Sequence, residues 1–274
     1  MNFRNKAFFY RTLLKRGFNM FSLNEQKAIE LGEAGEKAIR EQNEYDALQN
    51  IEYLREFGEE LLEANLEKDL KRVIISLRNI GNKAIKKRIE NVSSASVEVL
   101  KTLSEPSLKK NYSSALWSFS KAVQEIGKGA TQFQMLETAK SAVDTLEIIG
   151  SGAVAKKMEV VTLWTSLALE EIDYLANRQQ LEDLSRAAKD AREKIIKSSE
   201  EAGFITREQI EKYPQLIAHT VSEFAELQNL QPAGYEGRKP NEEFNEEEFF
   251  EEEDIESEEG ETQGETKTET SEKK

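Results

Sequence analysis

Residues able to do chemistry are scarce in this sequence of 274 residues. It contains one histidine, His219, and no cysteine, which excludes thiol nucleophiles, disulfides and zinc–thiolate sites. No second histidine can complete a metal site with His219, which lies in a predicted helix near the end of the fold. We interpret it as a residue on the surface or packed in the C-terminal capping region. We therefore expect no catalytic residue, no metal site and no cofactor, and we predict that the protein is not an enzyme.

Two further patterns resemble sites but have simpler explanations. The carboxylates of Glu170, Glu171 and Asp173 are close in sequence, but the helical acids mostly alternate with lysine and arginine, as on solvated helix faces. The Gly-x-Gly runs at 127–129 and 150–152 neither follow a strand nor continue into a phosphate-binding pattern. Both runs belong instead to a repeat that organises most of the chain.

The repeat has a period of 23 residues and is marked by a glycine. An aliphatic residue usually precedes the glycine by one position, a leucine by four, and a small residue follows by three. A single helix repeats its face every 3.6 residues and has no reason to repeat at 23, so a repeated structural unit is indicated. The register continues where the glycine is replaced, at Ser104, Asp173 and Ile196. The glycines are Gly35, Gly58, Gly81, Gly127 and Gly150.

Each unit contains one helix of about 20 residues, because apolar positions step by three and four across almost the whole period. We favour an interpretation in which the glycine lies just past the helix end, where it adopts a left-handed conformation without strain. Pro106, two residues after Ser104, fits such a turn. The alternative places the glycine inside a longer helix as a close-packing point. In either case consecutive helices run antiparallel.

Two such helices form a 46-residue pair, and the segments 77–81 and 146–150 carry a Leu-x-x-Ile-Gly pattern. This pattern resembles the end of a helix in HEAT and armadillo repeats, which stack into α-solenoids. The resemblance covers roughly residues 24–200 and concerns architecture alone. It implies an all-α fold of stacked antiparallel helices, either an α-solenoid or an elongated helical bundle.

The chain is divided by these patterns into four regions. We predict a basic aromatic N-terminal helix (1–23), the helical repeats (24–200), C-terminal capping helices (201–230) and a disordered acidic tail (231–274). In the capping region, Thr206 and Gln209 resemble a capping box, and Leu216 to Leu230 has the spacing of an amphipathic helix.

The N-terminal segment contains no acidic residue and several aromatic ones. It could cap the first repeat, or lie in an anionic membrane or a partner's groove, or be a targeting segment or a misassigned start preceding Met20. Its candidate contact residues are Phe3, Arg4, Phe8, Phe9, Arg11, Lys15 and Arg16.

The tail carries most of the net charge of −14, since Glu236 to Lys274 contain 17 acidic and 5 basic residues, a net of −12. Acidic disorder of this kind solubilises a protein, but its embedded apolar residues could also bind a basic, hydrophobic groove. Those residues are Phe244, Phe249, Phe250 and Ile255.

Outside the tail, Trp117 and Trp164 lie 47 residues apart, about two periods, and are expected in the core or lining a groove. Lysines and arginines at 71–72, 83 and 86–88 could form a positive stripe, although the body's slight negative charge argues against nucleic acid.

These observations favour a scaffold or adaptor that binds another protein and takes no small-molecule substrate. The alternatives are a peripheral membrane protein anchored by its N-terminus, and an acidic-tail chaperone or nucleic-acid mimic that binds a basic partner. The absence of cysteine fits a cytoplasmic location.

Overall fold

The computed structural model describes residues 22–212, and this part of the chain is helical throughout, with short turns between the helices. The first helix, α1, begins at Leu23, and the short last one, α9, follows α8 after a five-residue loop. The helices are α1 (Leu23–Arg40), α2 (Glu44–Glu63), α3 (Glu67–Lys86), α4 (Glu90–Lys109), α5 (Ser113–Gln132), α6 (Leu136–Ala155), α7 (Glu159–Arg178), α8 (Glu182–Glu201) and α9 (Arg207–Glu211). The predicted all-α repeat is confirmed, with one helix in each 23-residue unit.

Each helix from α1 to α7 ends in a three-residue turn whose middle residue is left-handed but is not glycine. Gln42, Asn65 and Lys157, for example, have φ angles of 57°, 59° and 53°. In each turn the next residue donates its backbone N–H to a carbonyl five positions back, as Leu66 does to Leu61 at 2.9 Å. This pattern is the Schellman motif, which often includes a hydrophobic last residue. That residue lies eight positions after the repeat glycine and is hydrophobic after Gly58, Gly81, Gly127 and Gly150, whereas Asn43 follows Gly35.

The favoured interpretation of the repeat glycines was therefore wrong. They lie inside the helices, and Pro106 also lies within α4. A methyl group added at Gly81 would lie 2.7 Å from the Cδ1 of Ile126, which is fully buried. The glycine is thus a notch that receives an aliphatic side chain from the helix two places further along the chain.

The same notch recurs along the array with a constant separation of 45 residues between glycine and side chain. The pairs are Gly35 with Ile80, Gly58 with Leu103, Gly81 with Ile126, Gly127 with Ile172, and Gly150 with Ile195. The two strongest signals of the repeat, the glycine and the aliphatic residue preceding it, are therefore the two sides of one contact.

The helices form two layers, one of α1, α3, α5 and α7 and the other of α2, α4, α6 and α8. Within the described residues, helices contact their neighbours one or two places away in sequence, and none further away. This open arrangement, in which each unit contacts its neighbours alone, is that of a solenoid and not of a closed bundle.

The notch disappears in α7 and α8, where Asp173 and Ile196 replace the glycine. No further twenty-residue helix follows α8 in register within the described part of the chain. Asp173 instead accepts hydrogen bonds from Ser185 at 2.6 Å and from Asn177 at 2.8 Å. At this end of the described array the glycine is lost where no further repeat helix follows, whereas in α4 the small residue Ser104 replaces it although α6 packs on α4.

Helix N-termini are stabilised differently inside the array and at its ends. The residue preceding each helix from α3 to α8 is apolar or aromatic and makes no capping side-chain bond. For α6 the Glu90 carboxylate, two helices earlier, accepts from the backbone N–H of Glu137 at 3.0 Å. Since α2 has no described helix two places before it, Asn43 caps it directly, accepting from the Asp46 N–H at 3.1 Å.

Candidate interaction surface

The two layers present chemically different outer faces, although both are built from the same repeat. The ninth residue of each twenty-residue helix lies on its outer side and is half-buried or exposed. In the layer of even-numbered helices the ninth residues are all acidic: Glu52, Glu98, Asp144 and Asp190. In α3, α5 and α7 the corresponding residues are Ile75, Lys121 and Leu167.

The acidic face is an ordinary solvated surface. Glu52 and Arg55 form hydrogen bonds of 2.5 and 2.9 Å, and the bond from the guanidinium lowers the pKa of the Glu52 carboxyl. Glu98 accepts from the hydroxyl of Ser141 at 2.6 Å. These carboxylates have partners on their own helix or the adjacent one, and they are too exposed to contribute much stability.

The opposite face carries a row of large apolar and basic side chains, which we call the tryptophan row. It consists of the fifth and ninth residues of α3 and α5 and the sixth and ninth residues of α7, of which Trp164 is buried with 7% exposure. These residues are Lys71, Ile75, Trp117, Lys121, Trp164 and Leu167. The sequence prediction that the two tryptophans lie in the core or a groove understates their relation, because they are in direct contact.

The two tryptophan rings form the centre of the row. Their centroids are 5.8 Å apart with an interplanar angle of 72°, the edge-to-face geometry that the ring quadrupoles favour. The ammonium of Lys121 lies 5.9 Å from the Trp117 centroid, within the range of a cation–π contact. On α3, burial lowers the pKa of Lys71, although the neighbouring Glu67 opposes this effect.

The end of the described chain lies on the α7 part of this row. Ile205, just before α9, and Ile210, within it, belong to one hydrophobic cluster. The other members are Leu163 and Trp164 of α7 and Ile196 of α8. This short helix opens with the predicted capping box, in which the Gln209 N–H donates to the Thr206 hydroxyl and the Gln209 side chain accepts from the Thr206 N–H.

A two-bond ion pair attaches α9 to α8. The Arg207 guanidinium donates to both carboxylate oxygens of Glu193, at 2.9 and 2.7 Å. These bonds lower the pKa of the Glu193 carboxyl. The pair and the cluster with α7 together fix the direction in which the chain leaves α8.

Glu170, Glu171 and Asp173, the acids whose spacing came closest to a catalytic pattern, have separate partners in the structure. Glu170 pairs with Arg192 at 3.0 Å, Glu171 pairs with Lys128 at 3.0 Å, and Asp173 bonds to Ser185 as described above. Each carboxylate joins two helices. No cluster of three or more potential metal ligands occurs among residues 22–212.

The predicted positive stripe is only partly a surface feature. Lys83 pairs with Glu36 at 3.1 Å, and the guanidinium of Arg88 stacks on Phe133 with 4.9 Å between its carbon and the ring centroid. Both contacts join helices or loops two units apart, so these residues hold the array together. Lys86 and Lys87 are exposed at the end of α3.

The two terminal segments that carry our predicted contact residues lie outside the described residues. These are the N-terminal set from Phe3 to Arg16 and the tail set from Phe244 to Ile255, and both stay predictions. His219 also lies outside this range. In the described part, no helix is both long and apolar enough to cross a membrane.

The comparisons with known proteins concern the fold. No protein-family model matches the sequence, and no curated protein matches it. A solved chain described as "DHF46 filament" is similar with a TM-score of 0.51 and 12% identity, over 64% of this chain and 98% of its own. A "Circular tandem repeat protein with novel repeat topology and enhanced subunit contact surfaces" gives 0.46 and 16%, over 76% and 53%. A "DHF58 filament" chain gives 0.47 and 12%, over 69% and 98%.

At such identities the likeness extends to the fold alone, and of these three only the first exceeds a TM-score of 0.5. The chain is a helical repeat protein. The narrower resemblance to HEAT and armadillo repeats stays a prediction.

Proposed function

We propose that the protein is a non-catalytic scaffold that binds another protein through the tryptophan row. One observation carries the proposal: the two layers are built from the same repeat, but the ninth residue of the helix is acidic throughout one layer and apolar or basic in the other. A repeat selected only for folding would need no such difference, because outer positions contribute little to the core. Tryptophan is also enriched where proteins bind each other.

The chemistry of the row indicates what kind of contact it makes. Trp117 and Leu167 offer apolar area, while the ammonium groups of Lys71 and Lys121 favour acidic groups at the margin of that area. We further propose that the protein is a HEAT-like solenoid and that it acts in the cytoplasm.

A matched pair of photo-crosslinking variants tests the proposal. Lys121 in α5 and Asp144 in α6 are both the ninth residue of their helix but lie on opposite faces. Each is replaced in turn by p-benzoylphenylalanine in the full chain, which is then irradiated in its native cells. We expect the variant at 121 to give one dominant adduct with another protein, and the variant at 144 to give none. The same adducts from both positions, or none at 121, would refute the proposal.

A further inference from the structure

The chain leaves the described structure beside the tryptophan row. α9 packs its Ile210 against the α7 part of the row, and Lys212 is the last described residue. The next helix of the same layer, α5, lies about 8–10 Å from α7, the usual distance between packed helices. Trp117 itself packs against the cluster that contains Ile210, so the described chain ends beside this part of the row.

The sequence after Lys212 matches this surface. Pro214 is a residue type that suits the first turn of a new helix, which the sequence predicts from 216 to 230. Ile217, Val221 and Phe224 follow at spacings of four and three, which places them on one helix face. The segment 213–230 contains no lysine or arginine and two acidic residues, Glu223 and Glu226.

The length of the segment also fits the distance. A helix of 15 residues, the length of the predicted one from 216 to 230, is about 22 Å long. The positions of α7, α5 and α3 in the layer span two helix spacings, about 16–20 Å. Such a helix, laid across the layer from the end of α9, reaches from Trp164 past Trp117 to Ile75 and Lys71.

We propose that residues 213–230 form an amphipathic helix that lies along the tryptophan row. Their apolar face covers Trp117 and Ile75, and their acidic margin faces Lys71 and Lys121. Resting on the proposed function, this identifies the partner class: a protein that presents a short amphipathic helix with an acidic margin, and that displaces residues 213–230 to bind.

Two other segments of the chain could occupy the row, and the observations favour neither. The tail is more acidic, but its phenylalanines begin at Phe244, more than thirty residues beyond Lys212. The N-terminal segment is basic, and its charge would be repelled by Lys71 and Lys121.

Because the chain contains no cysteine, disulfide trapping in the full-length protein tests the proposal directly. A Lys121→Cys, Val221→Cys variant is oxidised and compared with Asp144→Cys, Val221→Cys, which moves the first cysteine to the opposite face. A third variant, Lys121→Cys, Phe249→Cys, tests the tail, and a fourth, Lys121→Cys, Phe9→Cys, tests the N-terminus. We expect an intramolecular disulfide in the first variant at least tenfold faster than in the others. Faster trapping of the tail or the N-terminus, or equal trapping at 121 and 144, would overturn the proposal.

Tryptophan fluorescence provides a second measurement, since Trp117 and Trp164 are the only tryptophans in the chain. In the full-length protein, Val221→Glu with Phe224→Glu should shift the emission to longer wavelength and increase quenching by acrylamide. Ser222→Glu, on the opposite side of the predicted helix, should change neither. Unchanged emission in the double variant would contradict the proposal.

These experiments use purified protein without a partner, so they can fail while crosslinking at position 121 succeeds. The reverse outcome, a trapped helix with no external partner at 121, would leave residues 213–230 as part of the fold and refute the proposed scaffold function alone.

Discussion

The notch at Gly150 allows a quantitative test of how the array is held together. A methyl group at this position would overlap the Cδ1 of Ile195 and lie 2.7 Å from the hydroxyl oxygen of Thr165. Ile195 is fully buried, and the Thr165 hydroxyl donates to backbone carbonyls of its own helix at 2.9 Å. Neither side chain can move without losing packing or a hydrogen bond.

Gly129 is the matched control, because it too lies inside a helix but has more space. A methyl group there would lie 3.3 Å from the Cδ1 of Ile85 and 3.4 Å from its Cγ2. Replacing glycine by alanine in a helix interior favours folding by about 1 kcal/mol, and this gain is common to both sites. The difference between Gly150→Ala and Gly129→Ala is therefore the steric cost, which for overpacking is about 1–3 kcal/mol.

Urea unfolding followed by circular dichroism at 222 nm measures this difference as a shift in midpoint. We expect Gly129→Ala to raise the midpoint or leave it unchanged, and Gly150→Ala to lower it. Ile195→Val removes the overlapping methyl group, so it should restore part of the stability lost in Gly150→Ala, with a coupling of at least about 0.5 kcal/mol. Equal midpoints for the two alanine variants, or additive effects of Gly150→Ala and Ile195→Val, would refute the notch as the basis of the repeat.

Three further predictions concern the turns, the helix N-termini and α9. Lys157→Gly should stabilise the protein by about 0.5–1 kcal/mol in thermal unfolding, because it relieves a left-handed residue at φ 53°, whereas Lys156→Gly at φ −98° should destabilise it by a similar amount. Glu90→Ala should cost about 1 kcal/mol because it removes the cap of α6, whereas Glu182→Ala, at the same position in α8 with no described helix to cap, should cost less in the same urea assay. The ion pair with Arg207 lowers the pKa of the Glu193 carboxyl in the folded protein. Its contribution to the free energy of unfolding is therefore complete above the unfolded pKa of about 4.3, and it is lost as pH falls through the lower folded value. Tryptophan emission should change below about pH 4 in the natural sequence, and this acid transition should be absent in Arg207→Gln.

The 23-residue period, and with it one helix in each unit, could be predicted from the sequence because one helix contact constrains two residues of every unit. The glycine and the aliphatic residue before it recur together, since each glycine in one helix requires the aliphatic residue 45 positions later. The position of the turns did not follow, because glycine is the residue expected in a left-handed turn and here Gln, Asn, Lys and Arg occupy that conformation. Hydrophobic residues such as Leu66 and Met135, at the last turn position, were the signal that could have located the Schellman motifs.

The tryptophan row was harder to predict because consecutive units alternate between layers. Aligning residues 23 positions apart pairs a residue of one layer with a residue of the other, for example Lys121 with Asp144. The difference in charge between the two outer faces is then averaged out. Comparison at 46 residues would have separated Glu52, Glu98 and Asp144 from Ile75 and Lys121. The capping by Glu90 of a helix two places further also required the structure, since acidic residues in a first helical turn are common for local reasons.

The loss of the notch at one end of the array helps to decide where a partner binds. A further repeat unit stacked on α7 and α8 would bring an aliphatic side chain against Asp173, whose carboxylate has polar partners in Ser185, Asn177 and Lys189. Burying a carboxylate against an apolar side chain is costly, so stacking at this end in the register of the repeat is disfavoured. The partner that we propose is therefore placed along the side of the layers, where the ninth residues of the helices differ between the two faces. On the acidic face the carboxylates of Glu52 and Glu98 bond within the chain, and the tryptophan row is the face that we propose for the partner.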